Sequence, residues 1–182
     1  ADGTAWMALF SQNMMELALE LVPHDPTYSD MVTKFFEHFL YIAAGMNKPG
    51  PDGMWDEEDG FYYDLLRLPN GSVQRLKVRS MVGLLPLCAT TVVEPWQREL
   101  VPQQTAAMQA RWRQMPELFR SMHPTGIGHF GVNERGIIAL LNPERLRRIL
   151  SKMLDENEFL SPYGIRSLSK FHEQHPYILH VG

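Results

Sequence analysis

This sequence is short of cysteine, of long apolar runs and of positive charge, and each shortage removes a class of protein. One cysteine, Cys88, leaves no disulfide framework. It sits in an apolar run without a basic neighbour, so it is expected in the core rather than as a nucleophile. A cytoplasmic protein has this cysteine usage; a disulfide-free exported one would share it, and the cytoplasmic location is the expectation taken. No apolar run reaches the length of a membrane span, which argues against a membrane partner. The N-terminal stretch lacks the basic-then-apolar pattern of a signal peptide. Net charge is -4 and the pI about 6.0, so the electrostatic footprint of a nucleic-acid binder is missing. No Gly-x-Ser-x-Gly elbow, P-loop or dinucleotide fingerprint occurs, and no cofactor is expected. The HEQHP stretch, with His172 and His175, is one residue short of a zinc-binding HExxH helix, and Pro176 would end any helix there. These histidines are read as surface residues, and no metal is expected.

What is present is apolar enough to fold. Hydrophobic residues make up 45% of 182, enough for the packed core of one domain or part of one. The chain opens at Ala1 with no initiator methionine and closes after the apolar run Tyr177–Val181, so 1–182 is expected to be a partial domain cut at both ends. From Ala5 to about Leu21, apolar residues at helical spacing cover most of the circumference, which predicts a buried helix capped by Thr4 or Asp2. Asp25 and Pro26 start a second, amphipathic helix running to about Asn47, with Met31, Val32, Phe35, Phe36, Phe39, Leu40 and Ala43 on one face. A third apolar helix is predicted from Met81 to about Val93, kinked or restarted at Pro86, and a fourth, outer one after Pro102. His123–His129 is read as loop and Ile137–Leu141 as a short strand. Asn142 and Pro143 start an amphipathic helix to about Leu154, and Glu158–Ser169 is loop again. Buried and half-buried helices thus alternate, as in two concentric layers.

The centre of interest is Trp55–Leu87. An acidic knot, Asp56, Glu57, Glu58 and Asp59, follows Trp55. An aromatic strand from Phe61 to Leu68, a turn at Pro69, Asn70 and Gly71, and a return strand from Ser72 to Val78 make a hairpin. Carboxylates beside aromatic rings suit a sugar: they accept hydrogen bonds from hydroxyls while the rings stack. Glycoside hydrolysis needs one protonated and one ionised carboxyl, and crowding of like charge can hold one protonated. The same knot would also serve as a solvated acidic loop; calcium is disfavoured because the spacing misses the EF-hand pattern. Arg79 and Ser80 stand where strand gives way to the third helix, either facing a pocket or only pairing with the knot and capping. Tyr163, Arg166 and Ser167 repeat the theme as a ligand clamp or a salt bridge across a loop.

ADGTAWMALF, WDEEDGFYYD, LKVRSMVGLLPL and LDENEFLSPYGIRSLS, four segments in order over nearly the whole chain, together resemble the central part of the catalytic domain of glycoside hydrolase family 63 and its relatives, which include the processing α-glucosidases and mannosylglycerate-hydrolase-like enzymes. The resemblance implies a mainly α fold, part of an (α/α)6 barrel with a β-hairpin insertion near residues 60–78. It implies inverting hydrolysis of an α-linked oligosaccharide or glycoside without a cofactor. The family's acidic Gly-Leu-Asp-Asn motif and its downstream glutamate base are missing here, so no catalytic residue carries over and the chain alone is expected to be inactive. The implied substrate-binding and rim residues are Asp2, Trp6, Trp55, Glu57, Glu58, Asp59, Arg79, Tyr163 and Arg166, with Asp64 pinning the hairpin. Uncovered barrel helices imply self-association. The alternative is a non-catalytic helical scaffold or interaction module that keeps the hairpin.

Overall fold

A computed structural model of the chain describes residues 1–122 and 131–179. The expected loop at His123–His129 lies outside the described residues. Helix α1 spans Asp2–Leu21 and α2 spans Tyr28–Met46, and they make the main helix–helix contact. The two faces of α1 divide by size. Ala5, Ala8, Ser11, Met15 and Ala18 are buried, while Trp6, Met7, Phe10 and Leu17 are exposed. A helix buried all round was expected; instead one side packs, mostly through small residues that let a neighbouring element approach closely together with Gln12, Met15 and Leu19, while Trp6, Met7, Phe10 and Leu17 face outward. Asp2 lies in the first turn, where a carboxylate suits the helix dipole, and neither it nor Thr4 caps the helix by its side chain. In α2 the buried set Val32, Phe36, Phe39, Leu40, Ala43 and Met46 follows the expected helical stripe. Asp25 does not cap α2 directly; its carboxylate accepts from the Thr27 amide and hydroxyl and shapes the turn ahead of it.

The expected single hairpin is two. Strand β1, Trp55–Asp56, pairs antiparallel with β2, Phe61–Tyr62, so the acidic knot is the turn of this first hairpin. Gly60 at φ +62 and its amide bond to the Asp56 carbonyl (2.8 Å) close that turn. Strand β3, Asp64–Arg67, then pairs with β4, Val73–Leu76, across the Asn70–Gly71 turn. Asn70 accepts from the Ser72 amide and hydroxyl there.

The predicted third helix does not form as such. Met81–Cys88 is a 3-10 segment, and the β-branched run Thr90–Val93 becomes strand β5, paired antiparallel with β6, Gly136–Ala139. Cys88 is exposed, not in the core. Short helices α3 (Pro95–Leu100), α4 (Pro102–Arg113) and α5 (Pro116–Met122) follow, and α6 (Pro143–Met153) is capped by the Asn142 carboxamide accepting from the Arg145 amide at 2.8 Å. The 158–169 loop holds a small hairpin, β7 (Leu160–Ser161) with β8 (Gly164–Ile165), and a 3-10 turn follows at Lys170–Glu173.

These elements overturn the expected mainly α (α/α)6 barrel segment. Among the described residues, helices and four separate two-stranded antiparallel sheets share the structure. The stretch expected to supply another inner helix is 3-10 and strand, because Pro86 and the Thr-Thr-Val-Val run do not sustain α-helix. Only α1 and α2 are long, so a ring of paired long helices does not arise. No described helix is long and apolar enough to cross a membrane.

The core joins the first hairpin to the helices through Phe61, Tyr62, Tyr63, Leu84 and Phe159. Phe61 and Phe159 stack at 5.6 Å, and Gly83 lies directly beneath Phe61. A Cβ on Gly83 would meet the Phe61 ring and the Tyr62 carbonyl oxygen, and the backbone cannot yield. Gly83→Ala should therefore lower the free energy of unfolding by about 2 kcal/mol, seen as a lower urea midpoint at unchanged slope. Gly71→Ala, at φ +83 but in open space, should cost only the left-handed strain, about 1 kcal/mol.

Candidate functional site

The acidic knot is met by alternating cations. Arg75, Lys77 and Arg79 are spaced by two along β4 and its extension, so an extended backbone turns all three to one side. Arg75 Nη1 lies 2.9 Å from Asp56 Oδ2, and Lys77 Nζ reaches Asp56 at 3.0 Å and Asp59 at 3.1 Å. Arg79 Nη2 donates to Asp59 Oδ1 at 3.0 Å and its Nη1 to Glu158 Oε1 at 2.6 Å. Tyr63 donates its hydroxyl proton to Asp59 (3.0 Å) and accepts from Arg79 Nε (3.3 Å). Glu158 is further held by the Ser169 hydroxyl and by Lys152 at 3.5 Å. The Arg79 guanidinium packs over the Phe171 ring at 3.9 Å.

This setting fixes the charges. Burial alone would push the Asp56 and Asp59 carboxyls up. The Asp59 amide, Lys77 and Arg75 outweigh it at Asp56, while Lys77, Tyr63 and Arg79 do so at Asp59, and both carboxyls sit below the usual range. Burial opposes the charge on Lys77 too, but Asp56 and Asp59 raise its pKa. Tyr63 is raised, chiefly by burial, and burial pushes Tyr62 up to about 12. The expectation that crowding would hold one of these carboxyls protonated is thus reversed at Asp56 and Asp59: the interleaved cations cancel the like-charge repulsion.

Trp55 is 5% exposed. Its indole N–H donates to Glu57 Oε2 at 2.7 Å, and the Arg145 and Arg148 guanidiniums lie 4.8 and 5.5 Å from its ring centroid. Arg148 also pairs with Glu57 Oε1 at 2.8 Å. Glu58 projects outward with its side chain 91% exposed. Arg166 donates to backbone carbonyls of Glu156 at 3.1 Å and of Leu160, so it braces the loop from within. Tyr163, at the β7–β8 turn, is 99% exposed. Asp2 and Trp6 lie on the outward side of α1, with Trp6 51% exposed. Asp64 pairs with Leu76 in the second hairpin and its carboxylate takes the Ala1 amino group.

Trp55, Glu57, Asp59 and Arg79 therefore belong to linked polar contacts of the first hairpin, and Arg166 joins them through the Glu158 loop. Among the described residues, Tyr163, Asp2 and Trp6 stand apart from that network. A groove of about 590 Å³ between α1 and α2, lined by residues such as Met7, Phe10, Phe35, His38 and Tyr41, contains none of the expected sugar-site residues. Sequence reasoning missed Arg75, Lys77 and Glu158. The alternation Arg-x-Lys-x-Arg after an acidic turn was the available signal for the first two; Glu158 gave none, since its partner is remote in sequence.

An α-plus-β region built on an ion-paired aromatic and carboxylate hairpin is the class this arrangement defines. Compared with known proteins, the chain is 41% identical over 198 aligned residues to the uncharacterized protein YMR196W of Saccharomyces cerevisiae, a match covering 100% of this chain. The chain spans 18% of that relative's length. No family model matches the chain, and no solved structure matches it.

The lowered carboxyls make a pH prediction. A carboxyl lowered in the folded state adds stability that is present above its unfolded value, about 3.9 for Asp, and is lost as pH falls through the folded value. Acid unfolding of the chain followed by circular dichroism should show this loss below about pH 4. Asp56→Asn with Asp59→Asn should lower stability at pH 7 and flatten the acid limb. An acid limb unchanged in the double variant would refute the assignment.

Proposed function

We propose that this chain is the carbohydrate-facing scaffold of an inverting α-glycoside hydrolase, an internal region of a longer protein whose acid and base carboxyls lie outside it. The observation that carries the reading is the bridge at Arg79. It ties Asp59 of WDEEDGFYYD to Glu158 of LDENEFLSPYGIRSLS, so three of the four family-like segments meet although they are far apart in sequence. The match to 18% of a longer yeast protein supports placement within a longer chain. Fixed, ionised carboxylates accept hydrogen bonds from hydroxyls but cannot supply a proton, which accords with an acid located elsewhere. The groups left to reach an α-linked oligosaccharide are Glu58 and Tyr163, with Trp6 as a further exposed ring. A cytoplasmic location, resting on the single cysteine, belongs to the same proposal.

A second reading, a scaffold or interaction module without sugar contact, is favoured by one specific feature. The Trp55 ring is already attended by two guanidiniums, and Asp56, Glu57 and Asp59 are each ion-paired.

Titration of the longer protein with α-linked gluco- and manno-oligosaccharides, followed by calorimetry, separates the two. Tyr163→Ala and Glu58→Gln should each weaken binding about tenfold, the scale of one lost stacking or hydrogen-bond contact. Binding unaffected by both changes favours the second reading. This chain by itself should not hydrolyse aryl α-glycosides; turnover abolished by Glu58→Gln would overturn the placement of the acid–base pair.

The outward apolar side of α1 carries a further expectation. Trp6, Met7, Phe10 and Leu17 present exposed apolar surface, so the chain in isolation should self-associate in sedimentation or bind a hydrophobic dye. A monodisperse monomer that binds no dye would contradict it.

A further inference from the structure

His172 is held in one tautomer by two contacts of opposite sense. The Arg79 backbone N–H donates to its Nε2 at 2.8 Å, so Nε2 must offer a lone pair. Its Nδ1 lies 2.8 Å from the His175 carbonyl oxygen, which can only accept, so Nδ1 must carry the proton. The ring is therefore neutral and fully used. A second proton would have to go on Nε2, where it would face the Arg79 N–H, donor against donor. Among the described residues no carboxylate lies within ion-pair reach of the ring to compensate.

The charged and titratable groups packed about this segment are Arg79, Tyr63 and Asp59 from the hairpin side, and Glu158 with Lys152 from the α6 side. Lys170, Glu173 and His175 lie on the segment itself. What the contact holds down is the 3-10 turn Lys170–Glu173. Its Phe171 ring is sandwiched, with the Arg79 guanidinium at 3.9 Å and the His175 ring stacked at 4.2 Å. The turn's near end has separate anchors that no imidazole enters: the Ser169 amide donates to the Arg79 carbonyl at 2.8 Å, and the Lys170 amide to the Glu158 carbonyl at 2.9 Å.

We propose that His172 is an acid-released clasp: neutral, it fastens the Phe171 turn over Arg79, and protonated, it lets that turn swing away from the guanidinium while Ser169 stays in place. It makes exposure of Arg79, the hub of the hairpin network, respond to mild acid.

Nitrogen-15 NMR of the whole chain between pH 8 and pH 5 tests this. At pH 8 His172 should show the Nδ1–H tautomer. On acidification the Arg79 amide, corrected for intrinsic exchange, should exchange about fivefold faster, the loss of one ordinary hydrogen bond. The Ser169 amide should not change. His172→Gln, whose carboxamide can accept and donate in the same places, should stay closed across the range; His172→Phe should be open throughout. An Nε2–H tautomer at pH 8, an Arg79 amide indifferent to His172 ionisation, or an undiminished pH response in His172→Gln would each overturn the clasp.

Discussion

One guanidinium holds the two halves of the site together. Arg79, three residues past the end of β4, gives its donors to Asp59, Tyr63 and Glu158, while its flat face rests on Phe171. A planar fork can satisfy partners on two sides at once, which an ammonium on a flexible stem cannot do with the same geometry. The side chains of Arg79 and Glu158 are each 12% exposed, so their charges are screened little by solvent. Removing one partner would strand the other's charge in a poorly hydrated place, which is why such a pair constrains structure more than it adds net stability. The hairpin, the Glu158 loop and the Phe171 turn are fixed relative to one another through this residue.

The fold was legible where a signal is local. Asn70–Gly71 marks the second hairpin, Asn142–Pro143 starts α6, and the α2 stripe from Val32 to Met46 repeats at helical spacing. It was not legible where the partner decides. Phe61–Leu68 reads as one strand, yet Phe61 and Tyr62 pair back to Trp55 and Asp56, and only from Asp64 does the chain pair forward. Alternation cannot announce a change of neighbour. The run Thr90–Val93 is apolar and short, so periodicity cannot separate strand from buried helix, and its pairing with Gly136–Ala139 settles it. In α1, apolar residues all round hide which side packs; the packed side combines Ala5, Ala8, Ser11 and Ala18, which allow close approach, with Met15 and Leu19, and leaves Trp6 and Phe10 outside.

The site was partly legible for the same reason. Trp55, Asp59 and Arg79 stand out by type and do belong to connected contacts. Their roles could not be read, because a carboxylate's proton affinity depends on what faces it. Four acids in a row suggest repulsion and a retained proton. Three cations spaced by two, on β4 and the segment that follows it, give the opposite result at Asp56 and Asp59. Charge neutralisation here is a property of register, not of composition.

That register also bears on how the region could meet a sugar. An aromatic ring stacks on a sugar only through an open face, and the Trp55 ring is 5% exposed with two guanidiniums within 5.5 Å of its centroid. The indole N–H, the other means of engaging a hydroxyl, is already given to Glu57. Trp55 therefore serves the hairpin by orienting Glu57 toward Arg148, and under the proposed sugar reading ligand contact would fall to side chains the network leaves free. Among the described residues, Glu58 is the member of the acidic knot whose carboxylate has no partner nearer than Lys77 at 4.0 Å, and Tyr163 is 99% exposed. A rigid, charge-balanced base with outward polar groups is a different device from an open aromatic cleft: under the proposed reading, selectivity would rest on where Glu58 is held by the hairpin and where Tyr163 is held by the β7–β8 turn.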